Sequence, residues 1–203
     1  MRLIFASNND HKLSEVRAIM PKGVEVLSLR EIGFEADIEE TGTTLEENSR
    51  IKAQTIHQWL LANDRYQGIS GVFADDTGLE IAALHGAPGV YTARWAGEPA
   101  ANRAKALSEL KGVANRKAQF RTVVTLITPA VVPAREEVIQ VEGIVRGEIA
   151  TEERGEGGFG YDSLFIPEGY TQTFAQLPAT LKNSISHRAI VLAELVKVLP
   201  NDK

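Results

Sequence analysis

The chain has 203 residues, 43% hydrophobic and 24% charged, which is typical of a globular protein and argues against disorder. A chain of this length buries roughly 70% of its surface on folding, so we expect one domain over residues 1–203, with room for two lobes. The absence of cysteine excludes disulfides, thiol catalysis and thiolate metal sites, and the net charge of −5 argues against a nucleic-acid partner. The sequence has no bilayer-length apolar run and no secretion signal, so we expect a cytoplasmic protein with no membrane partner.

The first half of the chain alternates predicted strands and helices. A short apolar strand, 3–6, precedes a helix that ends at Pro21 and Gly23. A strand over 24–29 follows, and then a helix whose N-cap is Thr44 and whose capping box is completed by Glu47. A buried strand over 69–74 runs straight into two aspartates.

The second half predicts a helix, two long strands and a closing helix. The helix covers about 100–110 and ends at Gly112. Strands over 118–127 and 137–146, joined through Pro129 and Pro133, are expected to form an antiparallel pair. A short strand over 164–166 and a helix over 183–199, with Ser184 or Ser186 near its cap, complete the chain. The pattern predicts a mixed α/β sheet.

Polar residues fill the junction between the first strand and the first helix. Such a junction aims backbone N–H groups and the positive end of the helix dipole at its surroundings. Lys12 lies in the first turn, where a cation opposes the dipole, and an anionic ligand would resolve that conflict. Simple helix capping, with Lys12 in water, is an equally good interpretation. The segment comprises Ser7, Asn8, Asn9, Asp10, His11 and Lys12.

Adjacent carboxylates follow the buried strand at Asp75 and Asp76, ahead of Thr77 and Gly78. Two neighbouring acids repel, so one of them needs a cation or a proton. Mg²⁺ takes oxygen ligands, often one or two carboxylates plus substrate phosphates, and is the natural candidate. The alternative is an ordinary Asx turn, which the preceding strand makes less attractive.

Further carboxylates and amines lie nearby in the sequence. Glu39 or Glu40 could reach the same ion, although such a pair is more often a solvated loop. Asn48 and Lys52 are one helical turn apart and could face one cleft, although an exposed helix face is the simpler interpretation.

A glycine-rich segment and a basic segment lie near the end of the chain. The segment 157–162 combines three glycines with Phe159, which could stack on a planar base, or it is a plain loop anchored by its aromatics. Lys182, His187 and Arg188 lie within seven residues of one another and could bind a phosphate or a carbonyl oxygen, a weak signal on its own.

Taken in this order, these segments resemble the HAM1 family of non-canonical purine nucleoside triphosphate pyrophosphatases, also called inosine triphosphatases. The matching segments are 7–12, 40–48, 74–79, 86–94, 157–162 and 186–188. The resemblance implies an elongated mixed-sheet α/β fold with two lobes around a nucleotide-binding cleft, usually as a homodimer. It also implies Mg²⁺-dependent cleavage of ITP, dITP and XTP to the monophosphate and pyrophosphate, which cleanses the nucleotide pool.

The same resemblance assigns roles to individual residues. Asp76 would be the general base and a metal ligand, supported by Asp75, and Glu39 or Glu40, with Glu40 preferred, would complete the metal site. The residues expected to bind the purine nucleoside triphosphate are Ser7, Asn8, Asn9, Asp10, His11, Lys12, Lys52, Thr77, Phe159, Gly160, Tyr161, Asp162, Lys182, His187 and Arg188. Two other hypotheses stay open: a pyrophosphatase for another modified or pyrimidine nucleotide, and a nucleotide-binding module without turnover.

Overall fold

The computed structural model describes residues 1–129 and 137–199. The helices are α1 (Asp10–Ile19), α2 (Leu45–Ala62), α3 (Pro99–Glu109), α4 (Ala179–Ile185) and α5 (His187–Val198), with one 3₁₀ turn at Ala82–Leu84. The strands are β1 (Arg2–Phe5), β2 (Glu25–Leu27), β3 (Gly71–Ile81), β4 (Pro88–Gly89), β5 (Lys117–Thr128), β6 (Glu137–Ile149) and β7 (Phe165–Pro167). The predicted mixed α/β class is confirmed. The cleft implied by the resemblance stays a prediction.

The strands form one mixed sheet in the order β2-β1-β3-β5-β6-β7, with β4 paired to β3. Strand β1 is parallel to both β2 and β3, whereas β4 runs antiparallel to β3 and β7 antiparallel to β6. The chain divides into two compact units. Unit 1 comprises Met1–Asp76, Val123–Glu142 and Val191–Lys203, and unit 2 comprises Thr77–Thr122 and Gly143–Ile190.

Unit 1 is built around β1, which is buried on both faces as a central parallel strand should be. Because successive strand residues point to opposite faces, Leu3 and Phe5 join one apolar cluster and Ile4 joins another. Helices α1 and α5 cover the first face, and α2 covers the second. One strand therefore fixes helices on both sides of the sheet.

Unit 2 has its own aromatic core. Phe120 and Phe165 pack with ring centroids 4.8 Å apart, and the His187 imidazole stacks on Phe120 at 4.6 Å. Leu79 and Ile81 of β3 belong to the same cluster and are fully buried. The predicted nucleotide contact His187 therefore begins α5 against this core.

Two predicted element boundaries were wrong. The third strand does not end before Asp75 but continues to Ile81, because its far end pairs with β4 at Leu79↔Gly89. The closing helix is two helices: α4 begins at Ala179, and Ser186 adopts an extended conformation between α4 and α5.

The two long predicted strands are neighbours in the sheet as β5 and β6. Their predicted link falls partly on residues 130–136, Pro133 included, which lie outside the described residues. None of the helices in the described part of the chain is both long enough and apolar enough to span a membrane.

Candidate functional site

The loop between β1 and α1 is a tightly capped helix start. Asn9 is the N-cap, and its side-chain oxygen accepts the backbone N–H of Lys12 at 3.0 Å, while Ser7 Oγ accepts the N–H of Asn9 at 3.2 Å. Lys12 Nζ donates to Asp75 Oδ1 at 2.8 Å. The dipole conflict predicted for Lys12 is therefore relieved by a carboxylate of the protein itself.

The acidic pair is split between the two faces of β3. Residues 73 and 75 share a face, as do residues 74 and 76, because strand side chains alternate. Phe73 lies in the cluster covered by α1, which directs the Asp75 carboxylate to Lys12 on that side. Ala74 lies in the cluster covered by α2, which directs Asp76 to Lys52. Each acid therefore meets a lysine from a different helix.

Lys52 joins two carboxylates in a buried position. Its Nζ donates to Glu40 Oε1 at 2.8 Å and to Asp76 Oδ1 at 3.2 Å, and Lys52 is 7% exposed. Burial alone lowers the pKa of Lys52, but the charges of Asp76, Asp75 and Glu40 outweigh burial and the net shift is upward. Lys52 therefore stays protonated and holds the two acids together.

At Asp76 the effect of burial on the pKa outweighs the effect of the neighbouring lysines. Burial raises its pKa, Lys52 and Lys12 lower it, and the negative charges of Glu40 and Asp75 raise it again, so that the net direction is upward. A carboxylate whose pKa moves toward neutrality is better suited to accept a proton from water than an ordinary aspartate.

The structure distinguishes between the two candidate glutamates. Glu40 is half-buried and contacts Lys52, whereas Glu39 is exposed. Asn48 was expected either to face one cleft with Lys52 or, more simply, to lie on an exposed helix face; it is fully buried and donates to Asp76 Oδ2 at 3.4 Å. Asn48 was not among the predicted site residues, although its spacing of one helical turn from Lys52 and its place directly after the capping box both pointed to it.

The donor set fits a magnesium ion that also binds substrate. Among the described residues, no three histidine, aspartate or glutamate side chains gather into a cluster able to hold a metal. Asp76 and Glu40 do lie on either side of one ammonium group, and Mg²⁺ commonly takes one or two carboxylates, with phosphate oxygens and water completing its shell. These two acids therefore suit an ion whose other ligands come from substrate and water, and they are too few to enclose an ion by protein ligands alone.

Unit 2 contains a second cluster, centred on Asp162. Its Oδ2 accepts the backbone N–H of Phe159 at 2.8 Å and Lys182 Nζ at 2.6 Å. Lys182 Nζ lies 5.1 Å and Arg188 Cζ 5.8 Å from the centre of the Phe159 ring. Gly158 has φ +72°, and a Cβ there would overlap the Asp162 carboxylate. The glycine thus permits the turn that brings two cations onto one aromatic ring.

The other predicted site residues lie at the edges of these clusters or apart from them. Asn8 Nδ2 lies 3.5 Å from Asp37 Oδ1, and Asp10 and His11 are exposed in the first turn of α1. Thr77 shares a hydrogen bond with Thr122 at 2.9 Å. Gly160 accepts Arg103 Nη1 at 3.2 Å through its carbonyl.

Tyr161 lies in the core of unit 2, and its hydroxyl makes no hydrogen bond to the described residues. Burial raises the pKa of Tyr161 to about 12, against a smaller opposing effect of Arg103.

Known proteins resemble this chain over nearly its whole length. The model of the Ham1 family matches residues 3–198. A dITP/XTP pyrophosphatase of Porphyromonas gingivalis is 49% identical over 198 residues, covering 96% of this chain and 95% of that protein, and one of Bacillus subtilis is 46% identical, covering 97% and 96%. The Ham1 protein structure from Staphylococcus aureus is 37% identical with a TM-score of 0.83 and covers all of both chains.

Proposed function

The chain belongs to the Ham1 family, and from that premise we propose that it hydrolyses non-canonical purine nucleoside triphosphates (ITP, dITP and XTP) to the monophosphate and pyrophosphate. The observation that supports this most directly is the set of ion pairs that three acids make with two lysines in unit 1. Lysines bind phosphate oxygens, and acids bind a divalent cation or accept a proton. A binding module without turnover would rarely place three carboxylates near the phosphates of its ligand.

Lys12 and Lys52 are the residues proposed to bind the triphosphate. Each is held by a carboxylate in a defined place, Lys12 at the N-terminal end of α1 and Lys52 on the buried face of α2. The N-terminus of α1 adds the positive end of the helix dipole, which favours an anion there. Phosphate oxygens would replace part of the carboxylate contacts of both ammonium groups.

Asp76 is the residue proposed to activate the attacking water. Its carboxylate accepts the proton that the water loses as the water oxygen bonds to one phosphorus of the α–β anhydride. The bond from that phosphorus to the bridging oxygen breaks, and the bridging oxygen leaves with pyrophosphate after attack at the α phosphorus or with the monophosphate after attack at the β phosphorus. Lys52 and Asn48 both donate to this carboxylate. A bound Mg²⁺, held by Asp76 and Glu40, would polarise the phosphate oxygens and offset their charge. Family members of this type generally use a divalent metal ion, and magnesium is our specific proposal.

The Asp162 cluster is proposed to bind the purine. Phe159 offers a ring for stacking, and Lys182 and Arg188 are donors suited to the 6-oxo group of hypoxanthine or xanthine. Adenine carries an amino group at that position and offers these donors no acceptor, a mismatch that can reduce specificity constants by about 10⁴-fold. We further propose that residues 1–203 act as one domain, in the cytoplasm, as a homodimer.

The test is a pyrophosphate assay with ITP, dITP, XTP, dUTP and ATP, each with Mg²⁺ and with EDTA. We expect pyrophosphate from the first three, little from ATP, and none with EDTA. Preference for dUTP would favour the modified-pyrimidine hypothesis, and nucleotide binding without release of pyrophosphate would favour the binding module. Asp76→Asn is the matched control, because it removes the proposed base with little change in shape, and it should abolish turnover.

A further inference from the structure

Asn48 is a fully buried amide in the first turns of α2, and it makes two contacts that connect separate parts of unit 1. Its Oδ1 accepts the backbone N–H of Gly42 at 2.8 Å, and its Nδ2 lies 3.4 Å from Asp76 Oδ2. The first contact reaches the loop that carries Glu40, and the second reaches β3. One side chain thus touches both segments that carry the proposed metal ligands.

The orientation of the amide follows from the chemistry of its partners. A backbone N–H can only donate, so the oxygen of Asn48 must face Gly42. The NH₂ group must then face Asp76, whose carboxylate accepts it. The two contacts are therefore mutually consistent, and rotating the amide by 180° would break both of them.

Gly42 is required for this close approach. A Cβ at Gly42 would lie 2.6 Å from Asn48 Oδ1 and 2.6 Å from the Cβ of Glu47, both too short for real atoms. Any larger residue would push the loop away from α2. Glu40, two residues earlier, would move with the loop.

We propose that Asn48 is a positioning residue: it holds the Asp76 carboxylate and the Glu40 loop in the arrangement that metal binding and water activation require. The proposal rests on the proposed function, since it takes Asp76 and Glu40 as the metal ligands. Residues that orient metal ligands typically contribute about 10- to 100-fold to metal affinity or activity. The contribution of Asn48 is expected in metal affinity and kcat, because it touches ligands and not the nucleotide cluster of unit 2.

The next residue provides a matched control. Ser49 is equally buried and also hydrogen-bonded, to Thr125 Oγ1 at 2.7 Å and to the carbonyl of Glu46 at 3.2 Å. None of these partners is a carboxylate of the site. Ser49→Ala therefore removes a buried hydrogen bond of α2 while leaving Asp76 and the Glu40 loop in place.

The experiment compares Asn48→Ala, Gly42→Ala, the double variant and Ser49→Ala with the wild type. Mn²⁺ binding is measured by electron paramagnetic resonance in the presence of the α,β-methylene analogue of ITP, and kcat and KM are measured with ITP. We expect Asn48→Ala to weaken Mn²⁺ binding and lower kcat by about 10-fold or more, with KM within about threefold of the wild type. Gly42→Ala should show smaller losses in the same direction, and the double variant should be less impaired than the product of the two single effects because both disrupt one contact. Ser49→Ala should reduce thermal stability only.

Two results would overturn the proposal. One is an Asn48→Ala protein with Mn²⁺ affinity and kcat within about twofold of the wild type, and the other is a Ser49→Ala protein with the same losses as Asn48→Ala. If Asn48→Ala does not fold, Gly42→Ala, which keeps the amide, decides by the same criteria. A wild type that binds Mn²⁺ but releases no pyrophosphate would refute the proposed function, while the difference in Mn²⁺ affinity between the variants would still test the positioning role.

Discussion

Replacing Lys52 with methionine should lower the free energy of unfolding, because it removes the cation that lies between two acids. Methionine keeps the length of the buried stem but removes the ammonium group that Glu40 and Asp76 share at 2.8 and 3.2 Å. The two carboxylates would then face each other without their common cation. Because Lys52 is only 7% exposed, water can replace that cation only in part.

The magnitude follows from the burial of the three groups. Removing one partner of a buried ion pair typically costs about 3–5 kcal/mol. The Glu40 side chain is 28% exposed, and Lys12 still acts on Asp76, so we expect a lower cost, about 2–3 kcal/mol. In a chain of this length each kcal/mol corresponds to a fall in Tm of about 2–4 °C, which gives a total of about 4–12 °C.

The assay is thermal and urea unfolding of wild type and Lys52→Met with EDTA and with Mg²⁺. Mg²⁺ should raise the Tm of the variant more than that of the wild type, because the ion no longer competes with an ammonium group for the same acids, and a ligand of the native state stabilises it in proportion to its affinity. Lys197→Met is the control, since Lys197 pairs with Glu194 on the surface and exposed pairs contribute about 0–1 kcal/mol.

Two results would refute the reasoning. A Lys52→Met protein whose free energy of unfolding in EDTA lies within about 0.5 kcal/mol of the wild type would show that the cation is not needed between the acids. An equal Mg²⁺ shift in both proteins would show that Lys52 and the ion do not share ligands.

Three further predictions concern single groups. Asp76→Asn should not lower the free energy of unfolding at pH 7. Because the pKa of Asp76 is raised, the native state binds the proton more tightly than the unfolded chain does, and the ionised carboxylate destabilises the native state above the native pKa. Any gain in stability of the variant, measured by urea unfolding, should therefore shrink as the pH falls toward 3.8. Lys12→Ala should raise the KM for ITP more than the inhibition constant for IMP, and equal changes would mean that Lys12 does not meet the distal phosphates. Tyr161→Phe should keep its stability in urea unfolding, since its hydroxyl has no hydrogen-bond partner among the described residues, and a loss above about 1 kcal/mol would contradict this.

Local chemistry made the start of α2 predictable. Thr44 Oγ1 accepts the N–H of Glu47 at 3.1 Å, and the Glu47 carboxylate accepts the N–H of Thr44 at 3.2 Å, so the capping box is confirmed. Both contacts lie within three residues of the chain and need no tertiary partner. Gly112 likewise has the positive φ, +76°, expected after α3.

The end of β3 and the break between α4 and α5 were not predicted correctly. Asp and Gly are poor strand formers, so the predicted strand ended at residue 74 and left Asp75–Gly78 outside it, yet β4 supplies hydrogen bonds to β3 beyond this segment and the strand continues. No glycine or proline marks the break between α4 and α5. Ser186, one of the two serines predicted near the cap of the closing helix, lies at the break, and its Oγ accepts the N–H of Ala189 at 3.2 Å as the cap of α5.

The site residues that were predicted are those whose side-chain type alone suggests a chemical role. The residue that was missed has a role that depends on its being buried. Acids, lysines and a glycine-rich loop are visible in a sequence, and the structure brings Lys12, Lys52, Glu40 and the two aspartates together in unit 1. The importance of Asn48 depends on which face of α2 is covered. Because Lys52 lies one turn further along the same face, the burial of either residue implies that of the other, but hydrophobic periodicity does not reveal a buried face that is polar at one end.

The continuation of β3 through the acidic pair has a chemical consequence. In a turn, the carboxylates of Asp75 and Asp76 could lie on one side and repel each other, and one would need a proton or an ion even before substrate arrived. In a strand they point to opposite faces, and each meets a lysine carried by a helix packed on that face. A strand fixed by its neighbours also holds side chains more rigidly than a loop does. The part of β3 that the prediction left outside the strand is therefore the part that separates two adjacent acids and gives each of them its own lysine partner.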